Sequence, residues 1–210
     1  MQTSAYSQSR VEARAACNVY AALAAVFAAE PNAEAVEGIA NVAATLDVPW
    51  TEEVHLDSLR ARYTERFIVP GNPHYVPLSE NCVRAAAQQG GAFEFGQVDG
   101  PFREHVSKCY AAADFARPSG IAHDDSLAAE LSFMAFLAAS QVEAETRQVA
   151  QSALDWQCRF LSDHLLAWSC KAASALLRAD DDFYAHAAAL VAAWCEVDAE
   201  RVGACMGQNR

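Results

Sequence analysis

The sequence is poor in positive charge. It contains 15 Lys and Arg residues against 27 Asp and Glu residues, which gives a formal net charge of -12. Nucleic-acid phosphates are bound by clustered Lys and Arg side chains, so this composition argues against nucleic acid as a partner. A basic partner is easier to accommodate, although the negative charge can equally serve only to keep an alanine-rich chain in solution.

Long apolar runs are also missing, because charged or polar residues interrupt every candidate before about 18 residues. We therefore expect no integral membrane segment. Residues 1–10 are polar, and they lack the basic stretch, apolar core and cleavage site of a secretory signal. A cytoplasmic location is the resulting expectation.

The cysteines form no metal or disulfide pattern. They are seven in number and widely scattered, and no two have the two-residue spacing of zinc and redox motifs. We interpret them as small buried hydrophobes or free thiols: Cys17, Cys82, Cys109, Cys158, Cys170, Cys195 and Cys205. No metal and no other cofactor is expected.

Enzyme motifs are absent as well. The chain has no Gly-rich phosphate loop, no nucleophile elbow and no pair of histidines at helical metal-ligand spacing. We therefore assign no catalytic residue and expect a protein that is not an enzyme. An enzyme using Asp124, Asp125 and a histidine is a minor alternative, since it needs further ligands from elsewhere.

What the sequence does contain is helical periodicity. Hydrophobic residues make up 53% of the chain, and they recur every three or four positions, as in Ala16, Val19, Leu23 and Val26. This pattern predicts an all-α fold, a single globular helical bundle. Pro118, Ser119 and Gly120 mark a hinge at 117–125 between an N-terminal half, 1–116, and a C-terminal half, 126–210. The helix that begins at Leu127 is apolar nearly all round and is predicted to be central.

Residue types that start and stop helices predict the remaining boundaries. Residues 80–89 are predicted to be helical, residues 93–98 to form a loop, and the proline-containing segment 68–78 to be a connection suited to binding. Helix caps are predicted at four places, namely Asn32, Thr51, Asp99 and the run from Asp180 to Asp182.

His123, Asp124 and Asp125 form the one dense polar cluster. An aspartate here can cap the helix that follows, which accounts for one of the two. A docking point for cationic side chains accounts better for the second. Glu80 and Glu130 lie in apolar stretches, and each must be hydrogen-bonded within the fold or bind a ligand directly.

Three blocks together resemble the TorD/DmsD family of redox-enzyme maturation chaperones, within the NarJ/TorD superfamily. The first comprises Leu59-Arg-Ala-Arg-Tyr-Thr-Glu-Arg-Phe67, then Val69-Pro-Gly71 and Val76-Pro-Leu-Ser-Glu-Asn81. The second is Asp125-Ser-Leu-Ala-Ala-Glu-Leu-Ser-Phe-Met134, and the third is Phe160-Leu-Ser-Asp-His-Leu-Leu-Ala-Trp168 with Phe183-Tyr184. Three positions depart from the family pattern: Arg66 replaces Leu, Asn81 replaces Ser, and Ser126 replaces a hinge His for which the nearby His123 can substitute.

The resemblance implies a cytoplasmic chaperone without a cofactor of its own. Its client would be the precursor of a molybdopterin-dependent oxidoreductase, bound through its twin-arginine signal peptide, its apo catalytic subunit or both, so that cofactor insertion precedes export. The implied client-binding residues are Tyr63, Phe67, Pro70, Pro77, Glu80, His123, Asp124, Asp125 and Glu130. We expect a monomer, with a domain-swapped dimer through the hinge as a second form. The alternative is a helical regulatory protein that binds a small molecule or nucleotide.

Overall fold

Helices form nearly all of the regular structure in this computed structural model, which describes residues 2–51, 54–89 and 92–207. π-helical turns at Thr64–Ile68 and Leu161–Leu165 follow α3 and α7 without a break. The all-α prediction is therefore confirmed. The elements in order are α1 (Gln2–Ala28), α2 (Ala33–Thr45), α3 (Leu56–Tyr63), α4 (Glu80–Arg84), β1 (Ala87–Gln89), β2 (Ala92–Glu94), α5 (Pro101–Ala112), α6 (Leu127–Glu143), α7 (Arg147–Phe160), α8 (Leu166–Ala179) and α9 (Phe183–Gly207).

The centre of the bundle is α6, as its apolar sequence predicts. Leu131, Phe133 and Met134 of α6 are completely buried. Its most extensive partner is α1, which turns Tyr20 and Leu23 into the core. Small alanine side chains between these larger residues let the two helix backbones approach closely. The pair α1 and α6 therefore forms the centre of the bundle.

Among the residues that the structure describes, one helical stretch is long and apolar enough to cross a membrane by length and composition, namely Ser7–Ala28 within α1. The sequence search for uninterrupted apolar runs did not identify it. In the fold this stretch packs against α6 and contributes buried residues from Ala13 to Phe27 to the core.

Two of the predicted caps are confirmed. The Asn32 side chain accepts a hydrogen bond from the Ala35 amide at 2.8 Å. Asp182 accepts from the amides of Tyr184 and Ala185 at 3.0 and 3.1 Å, at the start of α9. These short-range contacts satisfy amides that a helix leaves unpaired at its first turn.

The other two predicted caps are wrong. The residue before α5 is Gly100, with Pro101 at the first helical position, and Asp99 instead pairs with Arg103 one turn later. The α3 helix begins at Leu56 after His55, not after Thr51. Glu52 and Glu53, which follow Thr51, lie outside the described residues.

Residues 80–89 are not one helix, because α4 ends at Arg84 and a hairpin follows. Strand β1 pairs antiparallel with β2, Gln89 opposite Ala92, so the predicted loop at 93–98 begins as strand. Lys171 of α8 donates to the carbonyls of Arg84 and Ala86 at 3.1 and 2.8 Å. If α4 continued, these carbonyl oxygens would instead accept hydrogen bonds from amides of the same helix. Gly-Gly at the two positions between the strands was the hairpin signal in the sequence.

The segment between α5 and α6 returns to pair with the chain just before α4. The Glu80 amide donates to the Asp125 carbonyl at 2.8 Å, and the Leu127 amide donates to the Leu78 carbonyl at 3.0 Å. Ser79 and Ser126 lie between them as an antiparallel bridge. The predicted hinge region is thus tied to the Pro77–Glu80 stretch, and buried residues on both sides of it form one core. Its action as a hinge stays a prediction.

Candidate functional site

A groove with a cavity volume of about 210 Å³ opens between the π-helical turn after α3, the proline-containing segment and the α5–α6 connection. Its walls are mainly apolar and aromatic. The residues that define this groove include Phe27, Tyr63, Phe67, Ile68, Tyr75, Val76, Pro77, Leu78, Ser79, Ile121 and His123.

Aromatic rings make one wall of the groove rigid. Phe67 is half-buried and packs edge to face on Phe27, Tyr63 and Tyr184, with ring centroids 6.1, 5.3 and 5.1 Å apart. Edge-to-face ring pairs are stabilised by more than the burial of their apolar area, which favours this arrangement of the rings. Ile68 follows at the rim and is 58% exposed. This wall of the groove is therefore aromatic, with one exposed aliphatic side chain at its edge.

His123 supplies a polar atom in this apolar wall. Its Nδ1 atom is buried and makes no hydrogen bond within the part of the chain that the structure describes. A buried ring nitrogen without a partner is costly, and a ligand group that pairs with it removes that cost. His123, Ser79 and Ser126 are the polar residues among those that line the groove.

Asp124 lies beside the groove in an ion pair. Its carboxylate accepts from Arg117 Nε at 2.6 Å and from Ser107 Oγ at 2.7 Å. Burial alone would raise the pKa of Asp124, but the hydrogen bonds from Ser107 and Arg117 and the charges of Arg117 and Arg103 outweigh it and lower the pKa. Asp124 is only partly covered, so its carboxylate remains reachable from solvent.

Asp125 is completely buried. One carboxylate oxygen accepts from Ser79 Oγ at 2.7 Å and from the Asn81 amide at 2.9 Å. Neither Asp124 nor Asp125 caps α6, because the cap is Ser126, which accepts from the Ala129 amide at 3.3 Å. The capping interpretation of the aspartates is therefore wrong, and Asp125 serves to hold Ser79, a wall residue of the groove, in place.

Glu80 lies at the centre of a second buried arrangement behind the groove. Its carboxylate bonds Arg84 Nη1 and His164 Nδ1, both at 2.7 Å. The other ring nitrogen of His164 lies 2.8 Å from His105 Nδ1. Glu80 is thus hydrogen-bonded within the fold, which was the first of the two alternatives for this residue, the second being direct binding of a ligand.

Glu130 extends this network deeper into the core. One oxygen accepts from Trp168 Nε1 at 2.9 Å. Complete burial raises the pKa of Glu130 well above its ordinary value, and the neighbouring Glu80 carboxylate raises it further. A neutral, protonated Glu130 satisfies both constraints, because an uncharged carboxyl is less costly to bury and does not repel the Glu80 carboxylate.

The structure divides the residues predicted as client-binding into two groups. Tyr63, Phe67, Pro77 and His123 line the groove, whereas Pro70 lies in the turn beyond it. Glu80, Asp125 and Glu130 are buried and paired within the fold, whereas Asp124 is partly exposed and pairs with Arg117. Groove residues that the sequence did not identify include Phe27, Tyr75 and Ile121; only Tyr75, between two prolines, carried a local signal.

Comparison with known proteins gives one positive finding. A model of the family described as "Nitrate reductase delta subunit" matches residues 28–174. This range contains α2 to most of α8, and therefore the buried network and all the named groove residues except Phe27. No curated protein sequence and no solved structure matches the chain significantly.

Proposed function

Because the chain belongs to the nitrate reductase delta subunit family, we propose that it binds the immature catalytic subunit of a molybdenum oxidoreductase through the groove. This family consists of molybdoenzyme maturation chaperones, related to TorD and DmsD. The proposed client segment is the twin-arginine signal peptide. Its retention in the cytoplasm would allow the molybdopterin cofactor to be inserted before export.

The groove is the observation that carries this proposal. A twin-arginine signal offers an apolar, helix-forming stretch beside two guanidinium groups. The apolar stretch fits the walls built from Phe67, Pro77 and Ile121, with Ile68 at the rim. Burial of apolar area is worth about 25 cal/mol per Å², so this contact supplies most of the affinity.

The two arginines are recognised by charge. The protein carries a formal net charge of -12, which attracts a cationic segment from a distance. Asp124 is the proposed direct contact, because its side chain is partly exposed and already binds a guanidinium, that of Arg117. A client arginine would replace Arg117 in this ion pair. Exposed pairs contribute about 0.2–1 kcal/mol, so charge steers and selects more than it binds.

A matched pair of surface variants tests the groove. Ile68→Asp places a charge at the groove rim, and Val149→Asp makes the same change on α7, where Val149 is 54% exposed against 58% for Ile68. We expect Ile68→Asp to weaken calorimetric binding of a twin-arginine signal peptide at least about tenfold, or about 1.4 kcal/mol. Val149→Asp should bind as the parent does. Equal affinities for all three proteins would contradict the groove as the binding site.

A second peptide separates the two parts of the signal. Replacing both arginines by glutamine keeps the apolar stretch and removes the charge. We expect weaker, less salt-dependent binding that still responds to Ile68→Asp. If instead only the apo catalytic subunit binds and neither peptide does, the client contact lies in the body of the enzyme and the signal-peptide part of the proposal fails.

A further inference from the structure

His105 and Cys109 lie four residues apart on α5 and so face the same side of this helix. His164, from the π-helical turn Leu161–Leu165, faces them. One nitrogen from each histidine and the Cys109 sulfur all lie within 4.8 Å of one another. Imidazole nitrogen and thiolate sulfur are donors that Zn²⁺ prefers in proteins. A histidine and a cysteine four residues apart match neither the His–His nor the Cys–Cys spacing of common metal motifs, so this mixed pair was not predicted from the sequence.

The orientation of His164 suits a ligand. Its Nδ1 atom bonds the Glu80 carboxylate at 2.7 Å, and Glu80 is completely buried and held in turn by Arg84. If Nδ1 carries the proton, the lone pair of Nε2 is directed away from Glu80, towards His105. Metal-binding histidines in proteins commonly have such a carboxylate on their second nitrogen, because it fixes the ring and increases the basicity of the ligand atom.

The spacing of the two histidines is close to what a metal requires. Their facing nitrogens are 2.8 Å apart, joined by a hydrogen bond. Two nitrogens that each lie about 2.0–2.1 Å from a tetrahedral Zn²⁺ are about 3.3 Å from each other. Binding of an ion would therefore increase the distance between the two histidine nitrogens by about half an ångström. His105 is exposed, and its ring can make this small movement without disturbing the core.

A neighbouring set of possible ligands, Glu80, Glu130 and His164, is less suitable for a cation. The Arg84 guanidinium already neutralises Glu80, and Trp168 already donates to Glu130. All three side chains are buried, so the coordination shell has no opening for solvent. The His105 side of His164 is therefore the side on which an ion can enter.

We propose that His105, Cys109 and His164 form a binding site for Zn²⁺ or a similar borderline-soft divalent cation. The protein supplies three ligands and leaves the fourth position to water or to a group of a partner. The Cys109 thiolate supplies negative charge to the ion. A bound ion would join α5, which leads into the 117–125 segment, to the α7–α8 junction.

Cobalt(II) is the probe for this site, because a thiolate ligand gives it a charge-transfer absorption band and tetrahedral geometry gives it intense visible bands. We expect the reduced, dialysed full-length protein to bind one Co²⁺ per chain, and Zn²⁺ to displace it. His105→Ala and Cys109→Ala should each lower the affinity for Co²⁺ at least about 100-fold. Mutation of residues that only support a metal ligand already lowers metal affinity by up to about 100-fold, and loss of a ligand itself should cost no less. Cys109→Ala should also lose the charge-transfer band.

Two controls exclude unspecific binding. His55→Ala and Cys170→Ala remove an exposed histidine and an exposed cysteine away from the site and should bind Co²⁺ as the parent does. Circular dichroism checks that each variant is folded. Because His105 is exposed, His105→Ala should fold and still tests the site if Cys109→Ala does not fold. Absence of one-to-one binding, a charge-transfer band that survives Cys109→Ala, or equal losses in the controls would each overturn the proposal.

Discussion

Glu130 offers a direct test of the buried network, because its protonation can be replaced by a mutation. Burial and the Glu80 carboxylate raise its pKa well above the ordinary value. The folded protein therefore keeps a proton on Glu130 at pH values where the unfolded chain has lost it. Glu130→Gln keeps the shape of the protonated side chain and carries no charge, and its amide oxygen can accept from Trp168 as Glu130 does.

The sign of the pH dependence follows from the direction of the shift. When the folded state binds more protons than the unfolded state, stability falls as the pH rises. An unfolded-chain Glu titrates near pH 4.3, and above that value the parent loses about 1.4 kcal/mol per pH unit until the folded-state pKa is reached. Glu130→Gln does not pay this cost. We expect its stability relative to the parent to increase by up to about 1.4 kcal/mol per unit between about pH 5 and 7.

Urea unfolding of parent and variant at several pH values measures this difference. Titrating groups that do not interact with Glu130 are shared by the two proteins and cancel in the comparison. Glu80→Gln is the matched control, because Glu80 is the charged partner of Arg84 and His164. It should destabilise the protein by about 1–3 kcal/mol. A stability difference between Glu130→Gln and parent that does not change with pH would refute the assignment of the proton to Glu130.

Four further outcomes are expected. Phe67→Ala should destabilise the fold by about 2–3 kcal/mol in thermal melting, below the 3–5 kcal/mol of a fully buried ring, because Phe67 is half-buried; an unchanged melt with lost client binding would make Phe67 a recognition residue alone. Asp182→Asn should cost about 3 kcal/mol in urea unfolding, since it leaves the buried Arg66 without its carboxylate. Asp124→Asn should cost up to about 1 kcal/mol at neutral pH, a loss that disappears as the pH falls below about 4 and the parent carboxylate protonates. Exchange of α6–α9 through the 117–125 hinge should give some dimer in light scattering, and monomer alone after refolding at every concentration would contradict it.

Local signals in the sequence predicted those parts of the fold that depend on neighbouring residues. The central position of α6 followed from its apolar residues, and the caps at Asn32 and Asp182 act within one helical turn. The end of α4 was not predictable in the same way, because Lys171, from the distant helix α8, satisfies the carbonyls there. Secondary structure was mispredicted where a long-range contact competes with helix propensity.

Arg66 shows the same limit at a single residue. The resemblance placed it where the family has Leu, and nothing nearby in sequence explains an arginine. In the fold, Arg66 is completely buried and bonds both carboxylate oxygens of Asp182, at 3.0 and 2.7 Å, together with the Leu176 and Asp180 carbonyls. Asp182, Leu176 and Asp180 are all more than 100 residues away from Arg66 in the sequence. Only the three-dimensional structure therefore reveals that Arg66 joins the π-helical turn to the α8–α9 connection.

Several residues of the candidate site were predictable from the sequence, but their positions relative to one another were not. Tyr63, Phe67, Pro77 and His123 were identified from the sequence and do meet in the groove. Their meeting depends on the pairing of Ser79 with Ser126, which no local pattern indicates. The carboxylates were grouped with them in the prediction, because sequence alone does not distinguish a carboxylate that faces a partner from one that is buried and paired.

The buried carboxylates nevertheless bear on the groove, because they fix one of its walls. Ser79 lines the groove and donates to Asp125, and the Glu80 amide donates to the Asp125 carbonyl. The Pro77–Ser79 wall is thus held against the α5–α6 connection by hydrogen bonds to groups that a client in the groove does not touch. A substitution of Asp125 should change the width of the groove, and hence client affinity, without removing a client contact. Weakened binding in such a variant is therefore evidence for direct recognition only if the fold around Ser79 is unchanged.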